Sequence, residues 1–190
     1  MNKKAIRKNY HIVRERLKSQ GLRISALWLY SRGFTWFSGV PILRHSRITP
    51  QIYVGPQFGR MGLHHLRKEH IHAVVNLRQE FDDARHGLLL EDYCYLPTED
   101  DQAPSLEHIQ QGIAFIKQQE SCGKKVYIHC GGGIGRAPTM AAAYLISKGG
   151  ILEDVLQLIR LTRPYINITS PQIERLKECQ NLFHDANFSN

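Results

Sequence analysis

Apolar positions along the 190-residue chain recur in two rhythms. Short β-branched or apolar runs at residues 51–54, 71–77, 92–96 and 126–128 have the length of buried strands, with Ala73-Val74-Val75 the core of the second. Between and after them the spacing turns helical. Residues 62–69 predict one helix, and Ser105 caps another that runs to about residue 120 with Ile109, Ile113 and Ile116 on its apolar face. An Ala-rich stretch with Pro138 in its first turn ends near Ser147. Two further helices cover residues 152–161 and 171–183, the last carrying Ile173, Leu176 and Phe183. Strand and helix alternate, which predicts an α/β fold: a three-layer sandwich with a mainly parallel sheet flanked by helices.

The first 45 residues break that alternation. Ile6, Tyr10, Val13 and Leu17 recur at helical spacing among Lys3, Lys4, Arg7, Lys8, Arg14, Arg16 and Lys18. Residues 24–43 follow as an aromatic-rich stretch with Trp28, Tyr30, Phe34, Trp36 and Phe37. Arg32, Gly33, Gly39 and Pro41 interrupt it, so it does not predict a clean spanning helix of about 20 residues. Two readings compete for residues 1–43: a helix and loop packed on the domain, or a basic, aromatic anchor lying on an anionic membrane surface. The expected organisation is an extension over 1–45, a domain over 46–185 and a short tail over 186–190.

Charge narrows the partners. The net charge is +8 and the pI near 9.5, which favours phosphorylated substrates, acidic lipid surfaces or nucleic acid. Four cysteines, Cys94, Cys122, Cys130 and Cys179, are scattered without C-x-x-C or metal spacing, as in a reducing cytosol. The histidines at 64, 65, 70 and 72 likewise lack metal-ligand spacing. No cleavable secretory signal opens the chain, and the expected location is cytoplasmic, peripheral at a membrane if the anchor reading holds. Nothing in the pattern bears on oligomeric state.

The chemistry concentrates at residues 126–139, V-Y-I-H-C-G-G-G-I-G-R-A-P-T. A strand stops at His129-Cys130; Gly131, Gly132, Gly133, Ile134 and Gly135 follow, and Arg136 opens the Ala-rich helix. Closely spaced glycines let a loop curl so that successive N–H groups point inward, and a helix start adds its positive dipole end. That is a nest for a tetrahedral oxyanion. Its field stabilises the Cys130 thiolate as a nucleophile, and Arg136 offers a planar fork for two phosphoryl oxygens. A nucleotide-binding loop is excluded by the missing Gly-Lys-Ser/Thr ending. The charge of loop and arginine does what a metal would otherwise do, so no metal or organic cofactor is required. A leaving oxygen must still be protonated, and the acidic cluster Glu99-Asp100-Asp101 lies in a loop about 30 residues before Cys130. Arg78 and Arg163 read as surface or structural arginines, with substrate-binding charge as the alternative.

The run His129-Cys130-Gly131-Gly132-Gly133-Ile134-Gly135-Arg136 resembles the signature loop of cysteine-dependent protein tyrosine phosphatases. The chain's size is similar to that of their compact dual-specificity branch, over about residues 48–183, and looks closest to the subgroup of phosphatidylglycerophosphate and glucan phosphatases. The resemblance implies a phosphomonoester hydrolase with a cysteinyl-phosphate intermediate, acting on phosphotyrosine or phosphoserine/threonine proteins. A phospholipid such as phosphatidylglycerophosphate is the alternative substrate, and no nucleic-acid partner is expected. It assigns the general acid to Asp100, whose distance to Leu106 matches the family, with Asp101 as the alternative. It gives His129 a supporting role in orienting the loop or tuning Cys130. It also makes Cys94 and Cys122 candidates to trap an oxidised Cys130 in a disulfide. One position departs: most relatives carry Ser or Thr after the arginine, where the hydroxyl helps the thiolate leave, and here it is Ala137, as in some glucan-phosphatase relatives that also read Arg-Ala-Pro. Thr139 is the candidate substitute; without one, a phosphate-binding module of low turnover is the second alternative.

Overall fold

The computed structural model describes the backbone of residues 3–188 and the side chains of residue 18 and residues 20–183. The helical spacing of Ile6, Tyr10, Val13 and Leu17 therefore falls on side chains outside the described residues.

The strands are β1 (Ile52–Gly55), β2 (Ile71–Arg78), β3 (Asp92–Thr98) and β4 (Lys125–His129). All four are parallel, in the order β1-β4-β2-β3, so the short central run becomes the inner strand that β1 and β2 flank. The helices are α1 (Lys3–Ser38), α2 (Arg60–Lys68), α3 (Leu106–Ser121), α4 (Arg136–Ser147), α5 (Leu152–Thr162) and α6 (Ser170–Phe188).

Alternation along each strand divides the core into two layers. Ile52, Val54, Ala73, Val75, Leu77, Val126 and Ile128 face α3, α4, α5 and α6, together with Ile109, Ile116, Met140 and Leu176. The opposite side chains, Tyr53, Val74 and Tyr127, pack with Phe58, Leu63 and Leu66 of the α2 region and with Leu88 and Leu90 of the β2–β3 connection. Parallel strands covered on both faces read as continuous apolar runs rather than alternating ones, as the sequence of β2 and β4 does. Helix α4 is the most enclosed: Ala137, Met140, Ala141, Ala142 and Ala143 are fully buried. Its small side chains let the backbone settle close to the sheet, which carries the loop before it to the carboxyl ends of β4 and β2. Ser105 caps α3 as its sequence position predicts, accepting from the His108 N–H at 3.1 Å.

α1 extends further than the sequence suggests. It passes through Gly33 and stops at Gly39 (φ 68°), with its one break at Gly21 (φ 77°, ψ 169°). Glycine weakens a helix but does not end it unless the backbone turns left-handed, as it does at Gly39 and not at Gly33. The segment beyond Gly21 docks on the loop after α5: Tyr165 donates to Ser31 Oγ at 3.0 Å, and Gln20 Nε2 to the Ile166 carbonyl at 3.1 Å.

Candidate active site

The loop between β4 and α4 is built by its carbonyls. Each of the five from Gly131 to Gly135 accepts a hydrogen bond, four from other segments and that of Gly135 from the first turn of α4. Gly131 O accepts from the Gln57 N–H (3.2 Å), Ile134 O from the Asn167 N–H (2.7 Å), and Gly135 O from the Thr139 N–H (3.0 Å). Gly133 O and Gly132 O accept from the Arg163 guanidinium at 3.0 and 3.5 Å. Among the described residues none of the N–H groups of Gly131 to Gly135 donates to protein. A peptide whose carbonyl is held outward turns its N–H the other way, so the loop presents an inward-facing ring of donors. Gly133 makes the curl possible: its φ is +64°, and a Cβ there would collide with the carbonyl group of Gly55.

Arg163 is therefore neither a surface group nor a cleft charge. It is 1% exposed, and besides the loop it donates to His45 O at 2.6 Å and lies over the Tyr165 ring at 5.0 Å. Its role is to hold the loop from behind.

Cys130 stands at the start of the ring, buried, at the end of the central strand. Arg136 begins α4 on the far side, with Gly135 as its N-cap. Its guanidinium is almost wholly buried and spans the strand ends, donating to Leu77 O (3.3 Å) and Thr98 O (2.7 Å). Two carboxylates meet it: Glu80 at 2.9 and 3.0 Å, and Asp100 at 2.8 Å through Oδ1. Burial works against the arginine's charge; the Glu80 hydrogen bonds, Cys130 and Asp100 outweigh it. For Glu80 the same balance runs the other way. Burial opposes ionisation, yet the hydrogen bonds from Arg136 and Arg78 pull its carboxyl down to about 2. Arg136 Nε is buried and has no partner among the described residues, a donor left over for a bound oxyanion.

Behind Cys130, His129 and Asp83 form a fully buried pair at 2.7 Å between Nε2 and Oδ2. A carboxylate only accepts, so Nε2 donates in this bond, while Nδ1 is buried with no partner among the described residues. Gln57 ties this pair to the loop, donating its Nε2–H to Asp83 Oδ1 at 2.8 Å and its backbone N–H to Gly131 O. Arg78 then donates to Gln57 Oε1 (3.1 Å) and Glu80 Oε1 (2.8 Å), which closes the chain of contacts back to Arg136.

The sequence-derived residues divide accordingly. Cys130, Arg136 and Asp100 converge on one spot. Among the described residues the Asp101 side chain makes no contact with them; Asp101 adopts φ +64°, and its carbonyl accepts from Thr169 Oγ1 at 2.8 Å. Thr139 is buried and its hydroxyl donates to Gly135 O at 2.9 Å, so its proton is spent inside the first turn of α4 rather than offered to Cys130. The disulfide expectation fails on geometry. Cys94 pairs with Val75, which pairs with Ile128. It therefore lies two strand spacings, about 10 Å, across the sheet, beyond the roughly 7 Å that a disulfide spans between Cα atoms. Burial also pushes its thiol up to about 11. Cys122 caps α3 ahead of β4, a strand length (about 16 Å) from Cys130. Glu80, Asp83 and Gln57 were missed. The available signal was position: polar and acidic residues just past the carboxyl ends of two predicted parallel strands, where ligand loops gather.

Known proteins resemble this chain in sequence and fold. A human phosphatidylglycerophosphatase and protein-tyrosine phosphatase 1 is 40% identical over 76 residues, 40% of this chain and 38% of its own length. The phosphatidylglycerophosphate phosphatase PTPMT1 of Arabidopsis thaliana is 26% identical over 175 residues, 89% of this chain and 46% of that protein. The chain thus spans less than half the length of these two relatives. The solved structure of PTPMT1 superposes with a TM-score of 0.68 at 25% identity, covering 76% of this chain and 99% of that one. Residues 52–182, from the first residue of β1 into α6, match the dual specificity phosphatase catalytic domain, and the chain belongs to that family.

Proposed function

We propose that the chain is a phosphomonoester hydrolase of the dual-specificity protein phosphatase type, with Cys130 as nucleophile, Arg136 as phosphate clamp and Asp100 as acid and base. The observation that carries this reading is the loop itself: five hydrogen-bonded carbonyls, and N–H groups from Gly131 to Gly135 with no acceptor among the described residues, between a buried cysteine and a buried arginine. The substrate phosphate sits on the N–H groups of Gly131 to Arg136, with Arg136 Nε as a further donor. The Cys130 thiolate attacks phosphorus; the S–P bond forms as the P–O bond breaks, and Asp100 gives its proton to the leaving oxygen. Water then attacks the cysteinyl-phosphate, Asp100 takes its proton, and the thiolate departs with orthophosphate. His129, locked by Asp83, positions the strand end that carries Cys130. Ala137 offers that departure no hydroxyl, and Thr139 is engaged elsewhere.

Phosphorylated proteins are the first substrate class. A phospholipid monoester is the second reading, favoured by the lipid named for the plant relative that aligns over most of the chain and by the apolar aromatic residues of α1. That reading places the protein at the periphery of a membrane. The deciding experiment compares wild type with Cys130→Ser on a generic aryl phosphate, a phosphotyrosine peptide and phosphatidylglycerophosphate. Turnover that disappears in the variant supports the cysteine mechanism, and the faster natural substrate assigns the class. Vanadate binding without turnover in the wild type would replace the enzyme by a phosphate-binding module.

A further inference from the structure

The outward face of α1 is more apolar than its inward face. Beyond Gly21 the helix turns Ser25, Trp28, Ser31 and Thr35 toward the domain, all buried. Three of these are hydroxyl residues, and Ser25 Oγ and Thr35 Oγ1 have no partner among the described residues. At about 100° per residue the opposite side carries Leu22, Leu29, Tyr30, Phe34, Trp36 and Phe37. Trp36 is 84% exposed and Phe37 89%. A helix that serves only its own domain has the reverse arrangement. Arg23 is the one charge within this apolar side, and Arg32 lies on its border.

We propose that this face lays α1 on an anionic lipid bilayer. Charge chooses the occupant. In the first 68 residues Glu15 is the only acidic side chain, set against Lys3, Lys4, Arg7, Lys8 and further basic residues through Lys68. That segregated positive charge repels a second copy of the same face and draws an anionic surface. Trp, Tyr and Phe are the side chains that settle at the boundary between headgroups and acyl chains. Among the described residues no helix is long and apolar enough to cross a membrane, so α1 lies in the interface rather than through it. The helix also borders the phosphate loop: Arg32 Nη1 stands 3.7 Å from where a Cβ on Gly132 would be. Docking α1 therefore sets the loop beside the lipid surface.

The surface acts independently of which phosphomonoester the loop accepts, and the test separates the two. Wild type and Trp36→Ser/Phe37→Ser are sedimented with vesicles of phosphatidylcholine, with and without phosphatidylglycerol, while soluble aryl phosphate reports on the loop. Trp36 serves as its own probe, because the other tryptophan, Trp28, is only 6% exposed. The expected result is co-sedimentation of the wild type with the anionic vesicles and a blue shift of its tryptophan emission. The double variant loses about tenfold or more in partition, with aryl phosphate hydrolysis unchanged. Three results would overturn the proposal: no binding by the wild type, equal binding by the variant, or a solution dimer that the variant dissolves. The last would assign the face to a second copy.

Discussion

Replacing Arg163 tests whether the phosphate loop is held from behind. Arg163→Ala removes donors from Gly133 O at 3.0 Å and His45 O at 2.6 Å, and weaker ones from Gly132 O and Ser46 Oγ at 3.5 and 3.4 Å. Each buried acceptor left unpaired costs about 1–3 kcal/mol, and bonds from a charged donor lie toward the upper end. The His45 carbonyl lies nearer the surface and regains water, so the total falls at roughly 3–5 kcal/mol. At about 2–4 °C per kcal/mol for a chain of this size, Tm drops by roughly 10 °C. The functional loss is larger than the thermal one. Freed carbonyls at Gly132 and Gly133 can rotate inward, and a displacement of the loop donors by an ångström costs about 100-fold in kcat/KM. Arg163→Lys keeps the charge but cannot reach the loop and His45 at once, and recovers only a minor part of both losses. Thermal melts and steady-state kinetics on a soluble aryl phosphate read the two quantities side by side. A Tm within about 2 °C of wild type together with kcat/KM within about threefold would refute the role.

Three further outcomes follow from the same site. Asp100→Asn lowers kcat about 100- to 10,000-fold on substrates with a poor leaving group and less on an activated aryl phosphate, whereas Asp101→Asn stays within about twofold; equal small losses in both would remove Asp100 from the mechanism. Both substitutions keep residue types that tolerate the left-handed backbone at position 101, so strain does not confuse the comparison. Glu80 has its carboxyl lowered from 4.5 to about 2, so its contribution to stability is complete above about 4.5 and is lost as pH falls toward 2. The Tm difference between wild type and Glu80→Gln should accordingly be widest near neutral pH and shrink through that acid window; a gap that stays constant with pH contradicts the ion pair. Gly133→Ala forces a side chain into a left-handed backbone and against Gly55, costing at least about 2 kcal/mol and most of the phosphate affinity, as vanadate titration would reveal.

Much of the site was legible because its chemistry is contiguous. Cys130 and Arg136 lie on one loop, and the strand, glycines and Pro138 around them announce how that loop is entered and left. Asp100 was legible only through the spacing that the family resemblance brought to the acidic cluster. The supports were not legible. Asp83 meets His129 across 46 residues of sequence, and Arg163 meets His45 across 118. Neither pairing has a local pattern, since any buried carboxylate or arginine satisfies the same composition. The two sequence-derived roles that fail, Thr139 as stand-in hydroxyl and Cys94 or Cys122 as disulfide partner, both depend on side-chain direction or distance across the sheet.

The sequence by itself determined the alternation of elements, the parallel α/β class, the loop chemistry and the basic, aromatic character of the first 43 residues, because each follows from neighbours along the chain. Tertiary structure decided the strand order that puts β4 at the centre, the hydrogen bonds that hold the loop carbonyls, and the placement of Asp100 beside Arg136. It also decided which side of α1 faces the domain. A hydrophobic count over residues 22–38 is the same whichever face turns inward. Only docking against Tyr165 and Ile166 buries the hydroxyls and leaves Trp36 and Phe37 facing out.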